Sequence, residues 1–170
     1  MATQKRAFSF SYKEINNIEN TVAYLRRWNF WLPRGWSIKL HQILRADDDR
    51  CQHTHPWIMV RVILWGGYIE ERGPDGRQYW LLPWRPWAPW RIYISRTNFR
   101  HRITRLLCSS SWTLALCGPQ VLPWGFFTKT GWVPWRQFVH AAENQKVLWC
   151  DDGRVLNENL DTQLVSKEQP

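Results

Sequence analysis

The stretch DDDRCQHTHPWIMVRVILWGGY, residues 47–68, decides how the chain is read. It presents two histidines one residue apart, then turns apolar and β-branched, and stops at Gly66-Gly67. A strand sends alternate side chains to one face, so His53 and His55 point the same way across Thr54. Two imidazoles at that spacing can meet one divalent transition metal, provided that another strand supplies at least one more donor. His101, within the strand-like NFRHRIT, is the candidate third ligand. HxH pairs also occur on solvated strands without a metal, so spacing alone leaves both readings open. Arg61 follows the pair at even spacing. In a regular strand it faces inward, which is costly unless an anion such as a carboxylate or a phosphate ligand meets it. A β-bulge would turn it outward.

Upstream, SYKE at 11–14 has the form of a capping box, and Ile15, Ile18, Val22, Leu25 and Trp28 recur at helical spacing. This predicts an amphipathic helix over about residues 12–28, closed by Pro33 and Gly35. From Gly35 the pattern is one of strands and turns. WSIKLHQIL (36–44) alternates, HTHPWIMVRVILW (53–65) is a long β-rich run, and Pro74-Asp75-Gly76 marks a hairpin tip. PWRPWAPW (83–90) holds three prolines and reads as a stiff loop. RIYIS, TNFRHRIT, WTLALCG, WGFF and WVPWRQF continue the strand-like series. Many short strands behind one helix predict an all-β sandwich or small barrel. The expected organisation is an N-terminal segment 1–35 with its helix packed on the barrel, a barrel over 36–139, and a polar tail over 140–170.

The chain has 170 residues, 14 tryptophans, four cysteines and a formal net charge of +9. Its basic residues are scattered, with no run of five, which argues against nucleic acid as a partner. No apolar run is long enough to span a bilayer, and the N-terminus lacks the apolar core of a secretion signal. Cys51, Cys108, Cys117 and Cys150 form no CxxC pair and read as reduced thiols in a cytoplasmic protein. Cys51 shares the parity of His53 and His55, as a fourth ligand or as a buried thiol. His41 lies on the preceding strand as a group that hydrogen-bonds to the site or as a core histidine. Tyr68 and Glu70 sit past the glycines, each an acid or base candidate at the cavity mouth, with a solvated strand end as the default reading for Glu70 and Glu71.

HTHPWIMVRVILWGG resembles the first motif of the cupin family: a glycine, HxH, an acid and a second glycine, here Gly66 or Gly67. His101 matches the histidine of the family's second motif. The resemblance covers about residues 36–127. More closely, DxDR, HxHPW, GGY, HRI, WTL, GP and WGF resemble uncharacterised cupin-like proteins of bacteria and their phages. It implies a double-stranded β-helix, or jelly-roll barrel. Departures are clear: Met59 and Val60 stand where cupins carry a glutamate ligand, and Asp47 replaces the leading glycine. Arg96 and Asn98 stand near the second motif's PxG turn, and Arg105 replaces its terminal asparagine. What remains is a three-histidine set, which within the family resembles the iron sites of thiol dioxygenases and some carbon–carbon-cleaving dioxygenases.

The expectation is a mononuclear metal site of His53, His55 and His101. It favours Fe(II), with Zn, Ni or Mn as alternatives, and serves a dioxygenase-like or Lewis-acid catalyst acting on a small molecule, an anionic one among the options. Arg61 and Tyr93 are expected to contact substrate, and Trp57, Trp65 and Trp90 to wall the pocket. The alternatives are a non-catalytic module that binds a sugar, nucleotide or metabolite beside a structural metal, and a single-strand nucleic-acid binder using arginines and stacked tryptophans. A homodimer is compatible with either of the first two.

Overall fold

Alternating apolar and polar residues produce strands along nearly the whole chain. The structure is a computed structural model that describes residues 8–16, 22–47, 50–143 and 148–156. The strands are β1 (Ser9–Asn16), β2 (Ala23–Trp31), β3 (Ser37–Ile43), β4 (Met59–Trp65), β5 (Tyr68–Arg72), β6 (Arg77–Leu81), β7 (Ile92–Ser95), β8 (His101–Leu106), β9 (Ser111–Cys117), β10 (Gly125–Thr128) and β11 (Gly131–Pro134). A helix α1 (Trp135–Glu143) and a short pair, β12 (Leu148–Trp149) and β13 (Val155–Leu156), follow. The fold is mostly β.

Six strands form one antiparallel sheet in the order β1-β2-β3-β9-β4-β7. A second sheet has the order β6-β5-β8, and single bridges from His53 to His101 and to Phe126 link it to the β10-β11 hairpin. Tyr24, Leu25, Ile43 and Ile63 from the first sheet meet Tyr68, Leu81 and Ile103 from the second as the main core. A smaller core joins Phe126, Phe138 and the buried Cys51 and Cys150.

The predicted helix over 12–28 is not formed. Residues 9–16 and 23–31 are β1 and β2, paired from Ser9↔Trp31 to Asn16↔Ala23. Leu25 and Trp28, placed on one helical stripe, lie on opposite faces of β2. Their competing period is two: Phe10 and Tyr12 on β1 stack on Phe30 and Trp28 across the hairpin, at 5.1 and 5.3 Å between ring centroids. Ile18 lies outside the described residues. Two further readings need correction. The run 53–65 becomes a regular strand only at Met59, because HTHPW crosses from one sheet to the other and Pro56 cannot donate to a ladder. WVPWRQF is a strand only to Pro134; Trp135 then opens α1, whose Phe138 stacks on Phe126 at 4.0 Å.

The β4–β5 connection needs glycine. Gly66 has φ +80°, and a Cβ there would fall 2.2 Å from the Ser110 carbonyl oxygen. This tight turn carries the chain from the first sheet into the second, so Arg61 and Glu70 come to face one another.

Not all four cysteines are reduced thiols. Cys51 and Cys150 form a disulfide across 99 residues, so Cys51 has no thiolate to offer a metal. The bridge and the Arg154 guanidinium, which donates to the Arg50 carbonyl at 2.9 Å, tie the segment after α1 to the body. Residues 157–170 lie outside the described residues. Among the described residues, no helix is long and apolar enough to cross a membrane.

Candidate metal centre

Backbone pairing brings the histidines together. The His53 N–H donates to the His101 carbonyl at 2.8 Å, and the His101 N–H to the His53 carbonyl at 3.0 Å. This sets two side chains from distant segments directly opposite each other. His55, two residues on, joins them from the same side, its ring stacked over Trp57 at 6.2 Å and 17°. Potential ligand atoms of His53, His55 and His101 all lie within 4.8 Å of one another, and His101 Nε2 is 2.8 Å from His55 Nε2. Ring centroids are separated by 4.6, 4.9 and 5.2 Å.

Burial fixes the protonation of His53 and His55. It pulls the His53 imidazole down to about 3, with His101 and Arg50 adding to the effect, and holds His55 well below its ordinary value. Both rings are therefore neutral near pH 7 and keep a lone pair to donate. His53 Nδ1 is buried with no hydrogen-bond partner. Convergent neutral imidazoles with an unsatisfied buried nitrogen fit a divalent transition metal.

Behind His101 stands Glu70, a residue read from the sequence as solvated and found fully buried. One carboxylate oxygen of Glu70 meets His101 Nδ1. Arg61 Nη2 donates to both carboxylate oxygens, at 2.8 and 2.6 Å, and Arg72 Nη2 to one of them at 3.0 Å. Burial pushes the Glu70 carboxyl up, but Arg61 and then His101 outweigh it and hold it well below the usual range. A carboxylate on Nδ1 fixes the His101 tautomer and aims Nε2 at the other two rings. Arg61 does face inward, and its anion is Glu70. It is therefore not a vacant cation for a substrate.

A cavity of about 80 Å³ lies beside the three rings, lined also by His41, Tyr68 and Trp124. Burial pushes the Tyr68 phenol up to about 12, so it stays protonated. His41 does not join the three-histidine group; its Nε2 accepts a hydrogen bond from Arg27 Nε at 3.1 Å, and burial keeps it neutral. Trp57 stands beside His55 and under the Lys39 ammonium, which lies 3.6 Å from its ring centroid. Trp65 and Trp90 are 58% and 73% exposed and do not line this cavity. Tyr93 also turns away, its hydroxyl accepting the Leu82 N–H at 2.8 Å. Trp124, which opens the strand-like WGFF and stands just before β10, takes the wall position instead.

Arg27 and Trp124 were missed by sequence reasoning, and Glu70 was read by default as a solvated strand end. Glu70 carried a signal: it shares parity with Tyr68 on β5, and an inward Arg61 requires a carboxylate somewhere. Arg27 fell inside the expected helix, where its parity was invisible. It lines both the inner cavity and an outer one of about 660 Å³, walled by Trp57, Trp124 and Trp135. Among the described residues, no carboxylate pairs with Arg27; Glu14 is taken by Arg26 at 2.9 Å.

No family model matches the sequence, and comparison with curated proteins gives no match. Among solved structures, the chain is similar to a cupin 2 conserved barrel domain protein from Rhodopseudomonas palustris, with TM-score 0.49 and 8% identity over 73% of this chain and 80% of that one. It is also similar to AerE from Microcystis aeruginosa, with TM-score 0.48 and 13% identity over 76% of this chain and 54% of that one. The Fe(II) form of HppE gives TM-score 0.46 and 13% identity over 69% of this chain. The chain spans 59% of the length of HppE.

Proposed function

We propose that this chain is a metal-binding cupin of jelly-roll type whose His53, His55 and His101 hold one divalent transition metal, Fe(II) in preference to Zn, Ni or Mn, and that it acts as an enzyme on a small anionic molecule. The observation that carries the reading is the convergence of three imidazoles, two buried and one half-buried, with Glu70 locked behind one of them. A three-histidine metal supplies Lewis acidity and open coordination positions, and with iron it supplies oxygen chemistry of the dioxygenase kind. The chain's own residues do the rest. Arg27, at the junction of the two cavities, meets the anionic group of the substrate. Trp57 and Trp124 flank its body and keep water from the inner chamber. Tyr68, protonated and buried, is placed to donate a hydrogen bond there.

Anaerobic purification followed by metal analysis tests the site. We expect about one metal per chain and a melting temperature that falls on chelation, with both features lost in His53→Ala and His101→Ala. A metal-free protein indifferent to chelator would refute it. The small size of the inner chamber, about 80 Å³, favours one alternative, a non-catalytic binding module with a structural metal. Metal-loaded protein that consumes no oxygen across broad pools of small acids, yet binds some of them, would establish that alternative.

A further inference from the structure

The first sheet carries a second apolar surface, on its outer face. Residues paired in register across all six strands make one row of Phe10, Phe30, Ile38, Leu116, Val60 and Ile94. Two residues along lies a second row: Tyr12, Trp28, Leu40, Leu114, Val62 and Ile92. Neither row contains a charged side chain. The row between them points inward and is largely polar, with Asn29, Lys39 and Arg61 buried and Arg61 beside the histidine chamber. Seven of the twelve outer residues are exposed, from 40% at Leu114 to 65% at Ile94.

We propose that this face is the interface of a homodimer in which the six-stranded sheets of two copies pack back to back. Large side chains present about 200 Å² each, so half-exposure of seven gives about 700 Å². The five less exposed side chains bring the patch to the ~800 Å² per partner of a stable interface. That exceeds the apolar patch an ordinary monomer leaves in water. The patch also has the anatomy of an interface. Its centre on β3 and β9 is apolar, its β1–β2 end is ordered by the Phe10–Phe30 and Tyr12–Trp28 contacts, and one border is polar, with Arg26 bonded to Glu14 and Gln42. A twisted sheet face packs well on another at about 10 Å, and a two-fold axis sets one such patch against itself.

Other coverings fit less well. A lipid surface is met by Lys and Arg among the apolar residues, and both rows have none. The residues outside the described structure carry few apolar side chains; 157–170 hold only Leu160, Leu164 and Val165 as aliphatics. They are too few to cover twelve positions. The dimer is independent of the metal reading, because the histidine chamber lies on the other side of the sheet and stays open.

The test is sedimentation velocity of the full chain across the micromolar range, beside Leu116→Lys and Leu114→Lys. Wild type should sediment at twice its 20.5 kDa. Each lysine, placed in the desolvated centre, should weaken self-association by about 30- to 100-fold while circular dichroism stays unchanged. Radical footprinting of the wild type at both ends of the range needs no variant and should show several-fold less labelling of Tyr12 and Phe30 in the dimer. A wild type that stays monomeric, forms open-ended aggregates, or floats with neutral lipid vesicles as a monomer overturns the proposal. So does a dimer whose Tyr12 and Phe30 labelling is unchanged, or one that folded lysine variants do not weaken.

Discussion

Replacing Glu70 by Gln keeps the volume of the side chain and removes its charge. The structure makes two separate consequences calculable. Arg61 is buried, and among the described residues its bonds to Glu70 at 2.6 and 2.8 Å are its only ion pair. Breaking a buried pair from one side costs about 3–5 kcal/mol, because the remaining charge is stranded. For a domain of this size each kcal/mol moves the midpoint about 2–4 °C, so the melting temperature should drop by about 6–20 °C. Arg72, partly in solvent, loses its contact at little cost. Separately, His101 loses the carboxylate that fixes its tautomer, and metal affinity should fall about 10- to 100-fold. Urea unfolding of the apo protein reads the first effect, and metal titration against a competing chelator reads the second. The double variant Arg61→Met/Glu70→Gln separates them: it should recover much of the stability, since no charge is stranded, and none of the metal affinity. The sign with pH also follows. Glu70 is held below its ordinary value of 4.5, so its contribution is fully present above that value and is lost as pH falls beneath it; the variant lacks this acid-side loss. A Glu70→Gln protein that loses less than about 1 kcal/mol and binds metal as before would refute the placement of Glu70 as the anchor of both Arg61 and His101.

Burial lowers His41, His53 and His55 below 6.5, so the unfolded chain takes up more protons in mild acid. Apo stability should fall as pH drops from about 6.5, by about 1.4 kcal/mol per pH unit for each ring, and His53→Gln should remove one ring's share in denaturant melts at several pH values. Reducing the Cys51–Cys150 bridge, which closes a loop of 99 residues, should cost about 4 kcal/mol; identical melts with and without dithiothreitol would contradict this. Gly66→Ala meets both a positive φ and the Ser110 carbonyl, so it should destabilise by about 2 kcal/mol or more, measured by urea midpoint at unchanged slope.

The three histidines were legible because two of them announce themselves by spacing and the third by its place among strand-like residues. Most strands were legible from their pattern: β3 and β9 alternate, and β4 is a run rich in β-branched residues. The first thirty residues were not. Ile15, Leu25 and Trp28 satisfy a helical period, but Phe10, Tyr12, Trp28 and Phe30 satisfy a period of two as well, and the open edge of β3 offers the backbone a ladder. Tertiary pairing overrode the local choice. The disulfide was hidden because cysteines 99 residues apart leave no trace in spacing. Trp65 and Trp90 were misplaced because aromatic density says nothing about which tryptophans face a cavity.

By itself the sequence determined that the chain is built of strands, that His53 and His55 share a side, and that each strand has two unlike faces. Only the tertiary structure decided which face is inside. Here the inner face of the large sheet buries polar Asn29, Lys39 and Arg61 beside apolar Leu25, Ile43 and Ile63, because Arg61 borders the histidine chamber and finds Glu70 across it, and two apolar rows are left outward. Alternation is a local property of the chain. Whether a face is buried depends on what the distant half of the molecule places against it.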